Sequence, residues 1–257
     1  MQFLIYGFTY LTKKTIQSVD YSVDPCLQLT NMVTLLELSI GRMDELGSLI
    51  PSKTRGKTKE PYFGTYHHST SAASKKIRAV VKDMFTDAFA SLPFGRDDEL
   101  RILDVGCGLG FLSCVSAEFY KNARITGIDT FKHASLKRSS LERAKENTRI
   151  IGFSDRIDFK KGDVFKFTLA EKFDIIVSNL VFHNFGKMRL KAYSRLSSWA
   201  QAGSFVVIGE LFFSPKTDIA ELAKAFRILR EIKPKSNGFG PYSLLVMSKD
   251  SGHACMD

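Results

Sequence analysis

Arg101-Ile102-Leu103-Asp104-Val105-Gly106-Cys107-Gly108-Leu109-Gly110-Phe111-Leu112 (RILDVGCGLGFL) is the stretch whose reading decides the fold. Residues 101–105 form a short, mostly apolar run suited to a buried strand. Gly106, Gly108 and Gly110 mark a backbone that turns tightly and leaves room for a ligand, and the chain from Phe111 onward is compatible with a helix. A helix starting directly after such a turn presents aligned amides and the positive end of its dipole, which favour an anionic or carboxylate group. The glycine spacing and the next acidic residue downstream decide which molecule is held.

Outward from this stretch, strand-like and helix-like segments alternate. Strands are expected at 101–105, Arg124–Asp129, Arg156–Lys161, Phe173–Ser178, Phe205–Leu211, near Ile228–Ile232 and at Ser243–Ser248. Helices are expected at about 110–121, 134–150, 187–201 and 218–225. Continuous apolar strands separated by amphipathic helices imply an α/β fold, a doubly wound and mainly parallel sheet covered on both faces. The Gly- and Pro-containing connection from Pro234 to Pro241 permits an antiparallel C-terminal strand pair.

Upstream, Ser69 to Ser71 offer N-caps for a helix whose apolar stripe runs through Ala73, Ile77, Val80, Val81, Met84, Phe85 and Ala88. Before it lie Tyr66, His67 and His68, placed to reach a ligand from the N-terminal side. Residues 1–61 read as a separate extension: an amphipathic helix between Leu27 and Ile50, then an exposed basic linker, PSKTRGKTKEP, from Pro51 to Pro61. The expected organisation is a helical extension and linker at 1–61 and the main domain at 62–257.

Composition narrows the class. The chain has 257 residues, 44% hydrophobic and 25% charged, as in an ordinary globular protein. Its formal net charge of +10 suits acidic or phosphorylated partners, but a solvated, solubilising surface is the simpler reading. Cys26, Cys107, Cys114 and Cys255 form no CxxC pair, which argues against a structural metal or a disulfide framework and for reduced thiols. No apolar run has membrane-spanning length, and the opening residues lack the marks of a signal peptide, so a cytoplasmic location is expected.

Two ligand classes compete for the glycine turn. A dinucleotide wants G-x-G-x-x-G/A, whose last small residue lets helix and strand pack closely. Here Phe111 stands where that small residue should be. The segment D-x-G-x-G-x-G from Asp104 to Gly110 instead resembles the first motif of class I S-adenosylmethionine-dependent methyltransferases. Further matches follow in the family's order: ITGID ending at Asp129, Gly162-Asp163-Val164, FDIIVSN from Phe173 to Asn179, and Ala202-Gly203-Ser204-Phe205 entering the fifth strand. The resemblance spans Tyr62 to Lys249.

The resemblance implies a Rossmann-like domain with S-adenosylmethionine as cofactor and assigns roles position by position. Gly106, Gly108 and Gly110 would let the backbone approach the methionine portion, with Asp104 orienting the loop and meeting the amino group. Asp129 would accept from both ribose hydroxyls, with Thr130 beside it. Asp163 would accept from the adenine amino group and Val164 pack nearby. Ser178 and Asn179 would line the cavity near the sulfonium.

His183, in the segment SNLVFHNF, lies where the acceptor should meet the methyl group. The segment resembles the S-x-x-x-x-H stretch of many small-molecule methyltransferases and lacks the N-P-P-Y motif of enzymes acting on base amino groups. His183 is either a general base for a hydroxyl or a protonated amine, or a partly buried histidine that hydrogen-bonds its loop. Tyr66, His67 and His68 are candidate acceptor contacts. Only Phe213 to Thr217 separate the fifth strand from the next helix, so the N-terminal segment is the expected lid. Deletion of residues 1–50 should then impair turnover more than cofactor binding.

A small-molecule or lipid-like acceptor is the leading expectation. RNA or a protein acceptor is the alternative, motivated by the basic linker and by Lys132, Lys137 and Arg138. A cofactor-binding protein without turnover is the third. Oligomeric state is not legible, and no metal is expected.

Overall fold

In a computed structural model, which describes residues 59–66, 69–133, 136, 138–235 and 241–250, the strand leading into the glycine turn lies near the middle of a seven-stranded sheet. The strands are β1 (Arg101–Val105), β2 (Arg124–Asp129), β3 (Ile157–Lys161), β4 (Phe173–Asn179), β5 (Ala200–Leu211), β6 (Arg227–Ile232) and β7 (Tyr242–Ser248). Their order is β3-β2-β1-β4-β5-β7-β6. The first five pair in parallel, and β7 runs antiparallel between β5 and β6. This is the Rossmann-like sheet expected, with its antiparallel C-terminal strand. The helix expected between Leu27 and Ile50, and the linker as far as residue 58, lie outside the described residues.

Alternation along β1 divides two cores. Ile102 joins a cluster with Phe85 and Phe89 of α1 (Ser71–Ala90) and Val115 of α2 (Phe111–Phe119). Leu103 and Val105 face the other way, toward Tyr193, Leu196 and Trp199 of α4 (Arg189–Trp199). Each such fully buried side chain contributes about 1.5–3 kcal/mol of transfer free energy. Because both faces are covered, ligands are left the edge where the parallel strands end.

Three boundaries depart from the periodicity, each for a local reason. The helix expected from 134 starts only at Leu141, as α3 (Leu141–Ile151). Ser140 caps it by accepting from the Arg143 amide at 3.2 Å, while upstream Arg138 has φ 59° and Leu136 makes an antiparallel bridge to Tyr66. Ahead of α4 the chain forms a 3₁₀ turn, Phe182–Met188, broken by Gly186 at φ 54° and ψ −129°. The helix expected at 218–225 begins earlier, as α5 (Pro215–Leu222), because Pro215 fits a first helical turn, where no amide donor is needed. No helix among the described residues is long and apolar enough to cross a membrane.

Candidate active site

The carboxyl ends of β1, β2 and β3 place three aspartates along one cavity of about 900 Å³. The chain after β1 is tied to β2, since the amides of Gly106 and Cys107 both donate to the Ile128 carbonyl, at 2.8 and 3.1 Å. β3 is tied in turn, because the Gly162 amide donates to the Asp129 carbonyl at 2.9 Å. Gly106 has φ +74°, and a Cβ there would lie 2.3 Å from Cγ2 of Val181, so both conformation and space demand glycine. Gly106 and Gly108 line the cavity. Gly110 is not among the lining residues; it starts α2 in the left-handed region, and a Cβ there would meet the Phe159 ring at 2.6 Å.

Asp104 is buried and accepts from the Ser113 hydroxyl at 2.6 Å. Burial pushes its carboxyl up to about 7; the Ser113 bond works against that, and the negative Asp129 adds to it. Asp129 closes the turn by accepting from the Gly108 amide on Oδ2 at 2.9 Å and from the Phe131 amide on Oδ1 at 2.6 Å. Burial raises its pKa, opposed by those two amides and by His133. Asp163 accepts from the Phe165 amide at 2.9 Å, while Thr130 and Val164 line the wall beside it. Among the described residues no lysine or arginine lines this cavity.

The other end lies over β4, β5 and β7. Asn179 lines it and accepts from the Tyr242 hydroxyl at 2.8 Å. Ser178 does not line it: the side chain is wholly buried, and its hydroxyl donates to the Val105 carbonyl at 2.8 Å, tying β4 to β1. The alternation of a strand sends neighbouring side chains to opposite faces, and Asn179 takes the cavity side. Tyr66 also lines the cavity. Arg78 holds the backbone leading to it, donating to the Gly64 carbonyl at 3.0 Å, and its guanidinium lies 5.5 Å from the Tyr66 ring centre. His67 and His68 lie outside the described residues.

His183 lines the cavity with a partner that motif reading did not single out. Its Nδ1 is 2.5 Å from Oε1 of Glu210, a side chain 1% exposed near the end of β5. Glu210 also accepts from the backbone amides of Val181, Phe182 and His183 on Oε2, at 3.0, 2.6 and 3.3 Å, and from that of Leu211 on Oε1 at 2.7 Å. Leu180 makes this possible by taking φ +57°, costly for a branched side chain, which swings the next three amides onto one carboxylate. With Nδ1–H donated to Glu210, the neutral ring keeps its lone pair on Nε2. A signal for Glu210 was present: it is the charged residue in the otherwise apolar run FVVIGELFF, and a charge in a buried strand needs partners.

Comparisons with known proteins point to one family. A model of the methyltransferase domain matches residues 96–226, more than half of the 257. A tRNA1(Val) (adenine(37)-N6)-methyltransferase of Vibrio vulnificus is 34% identical over 87 residues, 34% of each chain. A trans-aconitate 2-methyltransferase of Streptomyces coelicolor is 35% identical over 95 residues, 37% of this chain and 29% of that one. The chain thus matches about a third of the length of these curated relatives. Among solved structures, the N-methyltransferase NodS of Bradyrhizobium japonicum WM9, in complex with S-adenosyl-L-homocysteine, is similar in fold, with TM-score 0.51 and 16% identity over 70% of this chain and 88% of that one. The family match over more than half of the sequence shows that this chain belongs to the methyltransferase domain family, among the class I, Rossmann-like, S-adenosylmethionine-dependent methyltransferases.

Proposed function

We propose that this protein transfers the methyl group of S-adenosylmethionine to a small, apolar acceptor, with His183 taking the acceptor's proton. The observation that carries the reading is the charge of the cavity: Asp104, Asp129 and Asp163 on three neighbouring strand ends, with no lysine or arginine among the described lining residues. Such a wall attracts a ligand bearing a sulfonium and an ammonium group and repels the pyrophosphate of a dinucleotide. The residues fit that cofactor in detail. Each Asp129 oxygen takes one amide N–H and keeps acceptor capacity for a ribose hydroxyl. Gly108 takes φ +52°, and a Cβ there would lie 2.9 Å from Cδ2 of Leu136, so the turn accepts only glycine beside the cavity.

S-adenosylmethionine supplies a methyl group already activated on a cationic sulfur. The protein's own work is to hold the acceptor in line, exclude water and receive a proton. The aspartates and the glycine turn hold the cofactor, Asn179 is fixed by Tyr242 where the two ends meet, and Glu210 fixes His183 with Nε2 as the accepting nitrogen. A small acceptor is favoured because the segment from Ser178 to Phe185 lacks the N-P-P-Y motif of enzymes acting on base amino groups. The tRNA methyltransferase among the relatives and the +10 charge support an RNA acceptor as the second reading. Incubation with methyl-labelled cofactor and fractionated cell extract separates them. Label in the metabolite or lipid fraction is expected; label confined to RNA or protein, or none anywhere, contradicts the proposal.

A further inference from the structure

The proposed reaction leaves the acceptor's charge open, and the acceptor end of the cavity bears on it. Its apolar surface comes from Leu211 and the rings of Tyr66 and Tyr242, and Ile77 of α1 also lines the cavity. Both phenols are held neutral, since burial raises the pKa of each. Two guanidinium groups on elements next to this end are already committed. Arg78 donates to the Phe63 and Gly64 carbonyls, and Arg189 pairs with the buried Asp218 at 2.6 Å and donates to the Gly186 carbonyl. The buried carboxylate of Glu210 lies directly behind His183. A carboxylate or phosphate entering here would lose its water beside a fixed negative charge, with no described cation to replace it. A neutral hydroxyl compound meets no such cost and finds a proton acceptor in His183.

Building on the proposed methyl transfer, we infer that the acceptor is an uncharged, largely apolar molecule that presents a hydroxyl to Nε2 of His183. The hydroxyl proton passes to Nε2 as the oxygen bonds to the methyl carbon. The sulfur–methyl bond breaks with its electron pair left on sulfur, and the proton then leaves His183 for solvent. Apolar surface continues outward from this point through Phe213, which is 69% exposed with its ring centre 6.5 Å from that of His183.

The test uses the full chain saturated with S-adenosylhomocysteine, so that no turnover occurs, and two fluorescent probes alike in ring and hydroxyl: neutral 2-naphthol and anionic 6-hydroxy-2-naphthoate. Fluorescence titration should show 2-naphthol bound at least about tenfold more tightly. The Phe213→Lys variant, which adds a cation on an exposed side chain, should narrow that ratio. Equal or tighter binding of the naphthoate overturns the inference, as does binding of neither probe, while the cofactor reading stands. Failure of S-adenosylhomocysteine itself to bind, read separately by calorimetry, overturns the proposed function and this inference with it.

Discussion

Over β1, β2 and β3 the cavity carries three aspartates and the glycine turn among apolar side chains such as Leu109, Ile128 and Phe165, whereas over β4, β5 and β7 it carries Asn179, His183, Leu211 and Tyr242, with no aspartate among the described residues. The first end is built from short consecutive pieces: a strand, its turn, and the acidic residue closing the next strand. The second is gathered from positions as distant as Tyr66, His183, Leu211 and Tyr242. Fixed amides and carboxylates suit a polar, charged ligand, and apolar side chains with one polar group suit orientation of a less polar one. Substitutions at the two ends should therefore separate cofactor affinity from turnover.

The largest effect is expected at the acceptor end. His183→Ala should lower kcat by about 10² to 10⁴-fold while leaving cofactor affinity unchanged, as read by steady-state rates beside a cofactor titration. Parallel loss of both would erase the division between the ends. Glu210→Gln should follow, with kcat reduced about 10- to 100-fold. The amide of glutamine can no longer offer two charged oxygens to four backbone N–H groups and an imidazole. A pH–rate profile that changes shape along with kcat would mark Glu210 as a positioning residue; an unchanged profile would leave it a purely structural role.

In the proposed cofactor site, Asp104 should tie binding to pH. Its carboxyl, raised to about 7 by burial, holds its proton more tightly in the folded than in the unfolded chain. The stability it contributes is fully present below the ordinary aspartate range and is lost as pH rises toward 7. An ammonium group nearby favours the ionised form, so S-adenosylmethionine affinity should rise by up to about tenfold per pH unit approaching 7 and level off above it. Asp104→Asn should flatten both slopes, measured by calorimetry and thermal unfolding across pH 5–9. The smallest effect is expected at the rim: Phe213→Ala should raise KM for an apolar acceptor by roughly two- to fivefold with kcat unchanged.

The same contrast accounts for what could be read from the sequence. Asp104, Asp129 and Asp163 were legible because each follows from a local pattern, an apolar strand ending in an acid at a glycine or loop. Gly110 and Ser178 belong to those patterns too, yet they serve packing and strand tying instead of lining the cavity, because local spacing does not say which face a side chain takes. Tyr66 was reached from its place upstream of β1. Tyr242 and Leu211 were not, because their meeting depends on β7 entering antiparallel beside β5, a pairing that puts Leu211 opposite Tyr242. The start of α3 was misjudged for a similar reason: Leu136 completes an apolar helical pattern but is used in a bridge to Tyr66, a contact across 70 residues.

In the proposed function, one end of the cavity holds the cofactor and the other does the chemistry. Calorimetric titration of S-adenosylmethionine into the wild type, Asp129→Ala and His183→Ala tests it most directly. Wild type and His183→Ala should bind alike, and Asp129→Ala should bind at least about tenfold more weakly, the loss of a charge-assisted hydrogen-bond acceptor. Equal affinity of Asp129→Ala and wild type, or a loss confined to His183→Ala, would contradict it.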